Sequence, residues 1–192
     1  MTRNGEPRIV VLTAPSGSGK TTIAREMLAR FPEMRFSVSA TTRTRRADEV
    51  EGVNYHFLTQ QQFEEALLDG ALIEYEEVYP DTWYGTLKSE VEASSVEAPV
   101  LLDIDVEGAL SVKRLYPHHS LVLFIRPPSL EELERRLRGR RTESEESLQV
   151  RLGKARQELS YADRFDAIVV NDEIKTACDQ AAAHIDRFLQ SQ

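Results

Sequence analysis

Arg8-Ile9-Val10-Val11-Leu12-Thr13 runs directly into Ala14-Pro15-Ser16-Gly17-Ser18-Gly19-Lys20-Thr21-Thr22. The first six residues read as a buried strand, the glycines as a turn, and the stretch from Thr21 to about Arg30 as a helix. Strand, glycine-rich turn and helix, in that order, form the setting of a phosphate-binding loop. Gly17 and Gly19 let the backbone turn its N–H groups inward around phosphate oxygens, where the helix dipole adds its positive end. Lys20 reaches the β- and γ-phosphates of a nucleotide, and Thr21 offers a hydroxyl to Mg2+. Ala14 stands where the motif has its first glycine. That position closes the turn, so alanine with a negative φ fits. The bland alternative is a glycine- and serine-rich loop that merely precedes a helix. The strand before it, the helix after it and an intact G-K-T-T argue for nucleotide binding. The loop alone leaves hydrolase, kinase and switch open.

Outward from the loop, short apolar runs alternate with amphipathic segments, the pattern of an α/β domain with a parallel sheet. Strands are expected at residues 36–41, 72–78, 100–104, 121–125 and 166–170. Helices are expected at 60–69, with Gly70 beyond the end, and at 107–115. Another follows the N-cap Ser129, with Glu132 as its capping-box partner, and ends in the charged stretch 138–144. A long helix over 145–161 carries the stripe Leu148, Leu152, Ala155, Leu159 and Ala162, and the last helix covers 173–189. Residues 43–58 give no clear assignment.

The 192-residue chain has a formal charge of -8, with Asp plus Glu 32 against Lys plus Arg 24. An acidic chain is a poor partner for a nucleic-acid backbone. It has no apolar run of membrane-spanning length and no signal-peptide core in Met1 to Pro7, so neither membrane nor export is expected. The single cysteine, Cys178, permits no intrachain disulfide and fits a cytoplasmic location. The average hides a bias. Arg outnumbers Lys 19 to 5, and eight Arg fall in two clusters, Arg43 to Arg46 and Arg135 to Arg141. Such clusters are commonly solvated or ion-paired faces. They also present planar forks for phosphate, and a phosphate site apart from the loop implies a second phosphorylated substrate.

The ordered set A-P-S-G-S-G-K-T-T, S-V-S-A-T-T-R-T-R-R, E-V-E-G-V-N-Y-H-F, L-I-E-Y-E, W-Y-G-T, L-L-D-I-D-V-E-G, I-R-P-P-S, R-R-L-R-G-R-R-T-E-S-E-E-S and I-V-V-N-D resembles the guanylate kinase family from Ile9 to about Leu189. The resemblance implies a P-loop three-layer α/β fold with a parallel core sheet (about 1–34, 98–134 and 148–192). It also implies a small α+β GMP-binding insertion (about 35–97) and a helical lid (about 135–147). The implied reaction is ATP-dependent phosphorylation of GMP, and of dGMP, with Mg2+, by a monomer or small homo-oligomer in purine metabolism. Ala14 to Thr22 and Asn171 match ATP-binding positions, with Asn171 near the adenine. Arg43, Arg46, Tyr55 and Tyr84 match the GMP phosphate site, and Ser39, Glu74, Thr86 and Asp105 the guanine contacts. Asp103 matches a position near Lys20 and the Mg2+ water shell. Arg136, Arg140 and Arg151 match positions that close on the transferring phosphates.

Chemistry supports the base assignment. Guanine presents N1–H and the N2 amino group side by side, and a carboxylate accepts both. Adenine offers a bare acceptor there, which would face Glu74 lone pair to lone pair. Without the resemblance Glu74 reads as an exposed strand-end acid. Asp103 and Asp105, one residue apart at a strand end, point to one side, beyond the carboxyl end where α/β sheets bind ligands. A capped strand end is the alternative. The chain departs from the family pattern at Arg45, usually Pro, and at Arg141, usually Gly, and has one extra residue near Pro80-Asp81. A kinase of another phosphorylated acceptor would lack the guanine set. A non-enzymatic module of the family would lose Lys20 and the Arg of the GMP arm. A GTPase switch would need an N-K-x-D segment, and none is present.

Overall fold

The computed structural model describes residues 6–139 and 145–191. The predicted site residue Arg140 and the departure at Arg141 lie outside the described residues, as do most of residues 138–144 between the fifth and sixth helices. The chain runs β1 (Ile9–Thr13), α1 (Lys20–Arg30), β2 (Arg35–Phe36), β3 (Ala40–Thr41), β4 (His56–Phe57), α2 (Gln60–Leu68), β5 (Leu72–Tyr79) and β6 (Thr82–Leu87). It continues through α3 (Lys88–Glu92), β7 (Val100–Asp103), α4 (Val106–Leu115), β8 (Ser120–Arg126), α5 (Leu130–Arg138) and α6 (Glu145–Leu159). A short 3-10 turn, β9 (Ala167–Val170) and α7 (Ile174–Gln190) complete it.

The core sheet is wholly parallel, in the order β2-β7-β1-β8-β9. Its central strand explains the unbroken apolar run near the N-terminus. Val10 and Leu12 pack with Ile23 and Met27 of α1 and Ala177 and Ala181 of α7 on one face. Ile9 and Val11 pack with Ala109 and Val112 of α4 on the other. Side chains alternate along a strand, so a sheet covered on both faces needs apolar residues at every position. The carboxyl edge of this sheet delivers the phosphate loop from β1, Asp103 from β7 and Asn171 after β9.

A second sheet, β4-β3-β6-β5, forms an arm beside the core. It mixes one parallel pair, β3 with β4, and two antiparallel pairs. α2 covers it, begun by a reciprocal capping box between Thr59 and Gln62. Its core is thin: Ala40, Phe63 and Leu72 are buried, with Leu58, Ala66, Leu67, Trp83 and Leu87 half-buried around them.

Three expectations change. The strand predicted over residues 36–41 divides between the two sheets. Arg35–Phe36 pairs with the core strand β7, and Ser37 N donates to Leu101 O as the last core rung. Ala40–Thr41 joins the arm. Alternation continues through the bend, so the pattern does not mark the change of sheet. Residues 82–87 form a strand absent from the sequence reading, hairpinned onto β5 through Asp81 at φ 60 with an irregular register between Glu77 and Tyr79. The extra residue near Pro80-Asp81 falls in that turn. Finally, Ser129 accepts from Glu132 N as expected of a cap, but the Glu132 carboxylate accepts from Arg135 and Arg136. Two guanidiniums within one helical turn outcompete the backbone N–H that a capping box would use.

Candidate active site

The phosphate loop is built as its sequence requires. Gly17 and Gly19 adopt φ of 93 and 90, the left-handed region that other residues resist. The N–H groups of Gly17, Gly19, Lys20 and Thr21 have no acceptor among the described residues, and α1 has no side-chain cap. These donors line a cavity of about 340 Å3 with Ala14, Pro15, Ser16, Thr22, Asp105, Arg151, Lys154 and Glu158. Helix N-terminal donors left open over a cavity fit a chain of nucleotide phosphates. Lys20 Nζ is anchored at 2.7 Å from Asp103 Oδ1 and donates at 2.7 Å to Ile104 O. The ammonium therefore sits at the carboxyl end of β7, fixed by two protein oxygens.

The loop is braced from behind. Asn171 is buried, and its Nδ2 donates to Ser18 O at 2.7 Å. The position expected near adenine is here a support of the loop backbone. Leu133 and Leu137 of α5 pack against Gly17 so closely that a Cβ there would stand 2.9 Å from Leu137 Cδ2. Arg136, on the same helix, is tied to Glu132 at 2.7 Å and to Asn171 O at 3.0 Å. It does not line the phosphate cavity, whereas Arg151 does. Arg135 and Arg138 are also ion-paired, Arg138 bridging Glu134 of α5 and Glu145 of α6.

On the arm, Arg43, Tyr55 and Tyr84 meet. Arg43 Nε donates to Tyr84 Oη at 3.2 Å, and its guanidinium lies over the Tyr55 ring at 5.4 Å. Glu49, which the sequence reading did not single out, takes the Arg43 fork at 2.7 and 3.1 Å and also accepts from Arg46 N at 2.8 Å. These bonds hold the Glu49 carboxyl below its ordinary range. The Arg46 guanidinium makes no hydrogen bond or ion pair among the described residues. Arg43 thus shapes the site with its guanidinium already engaged, while the Arg46 charge acts on Glu49 without a direct guanidinium bond. Glu49 lies three residues beyond Arg46, and only the fold of the loop reveals that it turns back.

A second cavity, of about 420 Å3, lies between β5 and helices α4 and α6. Glu74 enters it from β5. Thr86, opposite Glu74 in the hairpin register, donates its hydroxyl to Glu74 Oε1 at 2.6 Å. Burial pushes the Glu74 carboxyl upward, with Asp105 and Glu76 adding to the rise and Thr86 opposing it. Asp105 lines the same cavity and caps α4, its Oδ1 accepting from Gly108 N at 2.8 Å. The two readings of Asp105, cap and ligand, share one residue with an oxygen left for each. Ser39 lies in the connection between the sheets, its carbonyl accepting from His56 N.

Asp105, Lys154 and Glu158 line both cavities. Lys154 and Glu158, one turn apart on α6, were not singled out in the sequence; their spacing, taken with the apolar stripe, places them on the cleft side of that helix. Lys154 Nζ reaches Glu76 on the arm at 3.1 Å. Glu158 is buried, and burial pushes its carboxyl up to about 6, with Lys154 opposing and Asp105 adding. Among the described residues no cluster of three His, Cys, Asp or Glu could hold a metal ion. Thr21 and Asp103 are hard-oxygen donors that suit a magnesium ion carried mainly by phosphates and water. Among the same residues no helix is long and apolar enough to cross a membrane.

A parallel sheet with a phosphate loop at its carboxyl edge, and an arm facing it with its own arginines, defines a P-loop kinase of a phosphorylated acceptor. A family model described as guanylate kinase matches residues 6–191. Similar chains include the guanylate kinases of Salinibacter ruber, 57% identical over 95% of this chain and 97% of its own, and of Chlorobium luteolum, 49% identical over 96% and 94%. The crystal structure of guanylate kinase from Anaplasma phagocytophilum is similar at a TM-score of 0.74 and 30% identity, covering 98% of this chain and 89% of that one. The chain belongs to the guanylate kinase family.

Proposed function

We propose that the two cavities are the donor and acceptor halves of one reaction site. The chain phosphorylates GMP to GDP at the expense of ATP. The observation that carries the site assignment is the shared wall: Asp105, Lys154 and Glu158 border both the phosphate loop and the cavity of Glu74. The shared wall puts the two cavities side by side, so that a donor phosphate in one lies next to an acceptor phosphate in the other.

In this reading the loop N–H groups and Lys20 hold the ATP phosphates, and Arg151 covers them. Arg46, Tyr55 and Tyr84 hold the acceptor phosphate, with Arg43 as their frame. Tyr84, already accepting from Arg43, keeps its own O–H to donate. Glu74 and Asp105 accept from the guanine N1–H and N2 amino groups, and Ser39 and Thr86 complete that set. Thr21, and Asp103 through water, would hold a magnesium ion, which supplies positive charge to the β- and γ-phosphates. The attacking phosphate oxygen is already ionised, so no general base is needed. The residues accelerate transfer in line by placing two anions together and spreading the charge that moves between them.

The core carries the donor site, the arm (about 35–97) carries the acceptor, and the segment 135–147, with Arg136 and Arg140, closes as a lid. Closure excludes water and suppresses wasteful ATP hydrolysis. The setting is cytoplasmic purine nucleotide metabolism, and dGMP is accepted beside GMP. A coupled ADP-release assay with GMP, dGMP, AMP, CMP and UMP tests the reading. Preference for GMP and dGMP is expected; preference for any other acceptor overturns it.

A further inference from the structure

Helix α4 begins with Asp105 as its N-cap and has Gly108 in its first turn. Glycine is the least favourable ordinary residue inside a helix, so its presence there asks for a reason. The structure supplies one. A Cβ built on Gly108 would stand 2.9 Å from Glu74 Cγ and 3.2 Å from both Cδ and Oε2. Carbon atoms pack at about 3.5–4.0 Å, so the Glu74 side chain would have to withdraw by roughly half an ångström or more. It has little freedom to do so. Its Oε1 is bonded to Thr86 at 2.6 Å, and its backbone is fixed in the β5–β6 hairpin. Gly153 on α6 is different: a Cβ there meets nothing within 4 Å.

The same residue touches the second acid. The Gly108 N–H donates to Asp105 Oδ1 at 2.8 Å. Gly108 thus fixes one carboxylate through its backbone and admits the other through its missing side chain. These are the two acids assigned to the guanine edge.

We propose that Gly108 is a specificity-determining positioning residue, which sets the placement of Glu74 and Asp105 against the acceptor base. The inference rests on the proposed base-reading role of those two acids. Recognition of this kind depends on placement to about 0.5 Å, and a displacement near 1 Å costs up to about a hundredfold.

The test is a set of variants assayed with GMP and AMP, with ATP binding and thermal unfolding measured in parallel. Gly108→Ala is expected to lower kcat/KM for GMP about tenfold or more, chiefly through KM. The preference for GMP over AMP should narrow by a similar factor while the Kd for ATP stays unchanged. Gly153→Ala should match the wild type in kcat/KM, in preference and in ATP binding, while its Tm rises through helix propensity. A Gly108→Ala enzyme with wild-type preference overturns the proposal. Glu74→Gln separates the two levels. If it keeps the full preference, the base-reading role fails and the inference fails with it. If it loses the preference while Gly108→Ala keeps it, only the role of Gly108 is wrong.

A stability cycle covers the case in which Gly108→Ala does not fold. Combined with Glu74→Ala, which removes the three atoms nearest to it, the added methyl should raise Tm by about 2–4 °C through helix propensity. In the wild-type background it should leave Tm level or lower it. Equal shifts in the two backgrounds, or failure to fold in both, overturn the proposed contact.

Discussion

On the donor side, most of the proposed phosphate contacts are backbone N–H groups of one continuous loop, joined by the side chains of Lys20 and Arg151; the loop is braced by Asn171 behind it and by Leu133 and Leu137 beside it. On the acceptor side, every proposed contact is a side chain. Those side chains arrive from the connection between the sheets, from the loop before β4, from β5, from β6 and from the start of α4. The donor loop stands on a sheet buried on both faces, while the arm rests on a core of three buried residues. A loop whose function lies in its backbone can be rigid before substrate binds. A site made of side chains on a thin arm must use its own carboxylates to hold its cations in place, as Glu49 holds Arg43. The donor half is specified by conformation and the acceptor half by contact.

Removing Lys20 probes the donor half most sharply. Lys20→Ala should lower kcat by roughly 10^2–10^3-fold, the usual consequence of deleting one group that meets charge in the transition state. The Kd for GMP should remain near that of the wild type. A parallel loss of GMP affinity would show that the two halves are not independently built.

Glu74→Gln acts on the other half. An amide cannot accept from both guanine donors, and the preference for GMP over AMP should fall about a hundredfold. Binding of ATP, measured directly, should not change. Loss of ATP affinity in this variant would break the distinction from the acceptor side.

Glu49→Gln tests whether acceptor cations need a frame. It removes the charge that organises Arg43 while leaving every proposed phosphate donor in place. The expected result is a fall of about tenfold in kcat/KM for GMP, carried by KM. A lower KM would show instead that Glu49 competes with the phosphate.

The smallest effect concerns the wall between the halves. Glu158 has its carboxyl raised to about 6 from 4.5, chiefly by burial. The folded protein therefore binds a proton that the unfolded chain releases, and this group's contribution to stability falls as pH rises from about 4.5 through 6. Glu158→Gln removes that fall. The variant should gain about 1 kcal/mol over the wild type at pH 8 and much less at pH 4.5. Denaturant unfolding at the two pH values measures the difference. An equal gain at both would place the effect in packing rather than in charge.

Much of the fold was legible from local patterns. The apolar run at Ile9 to Leu12, the cap at Ser129 and the stripe on α6 each state their element, because burial and capping act within a few residues. The short pieces of the arm were not legible. Two-residue strands such as Ala40–Thr41 and His56–Phe57 carry too few residues for alternation to show, and they exist because neighbouring strands pair with them. For the site, residues 14–22 announced their chemistry. Glu74 did not, since nothing local distinguishes an acid that meets Thr86 across a hairpin from one in solvent.

The sequence by itself determined the phosphate loop, the parallel sheet that carries it and, through the ordered resemblance, the family. Those features depend on backbone conformation and near-neighbour periodicity. The tertiary structure alone decided which charges are matched and which remain available. It paired Arg43 with Glu49 and Arg136 with Glu132, left the Arg46 guanidinium without a hydrogen bond or ion pair among the described residues, and brought Lys154 and Glu158 to the wall between the cavities. It also set Gly108 against Glu74. Charge pairing and close approach depend on distances of a few ångströms between segments far apart in the chain, and no local pattern encodes them.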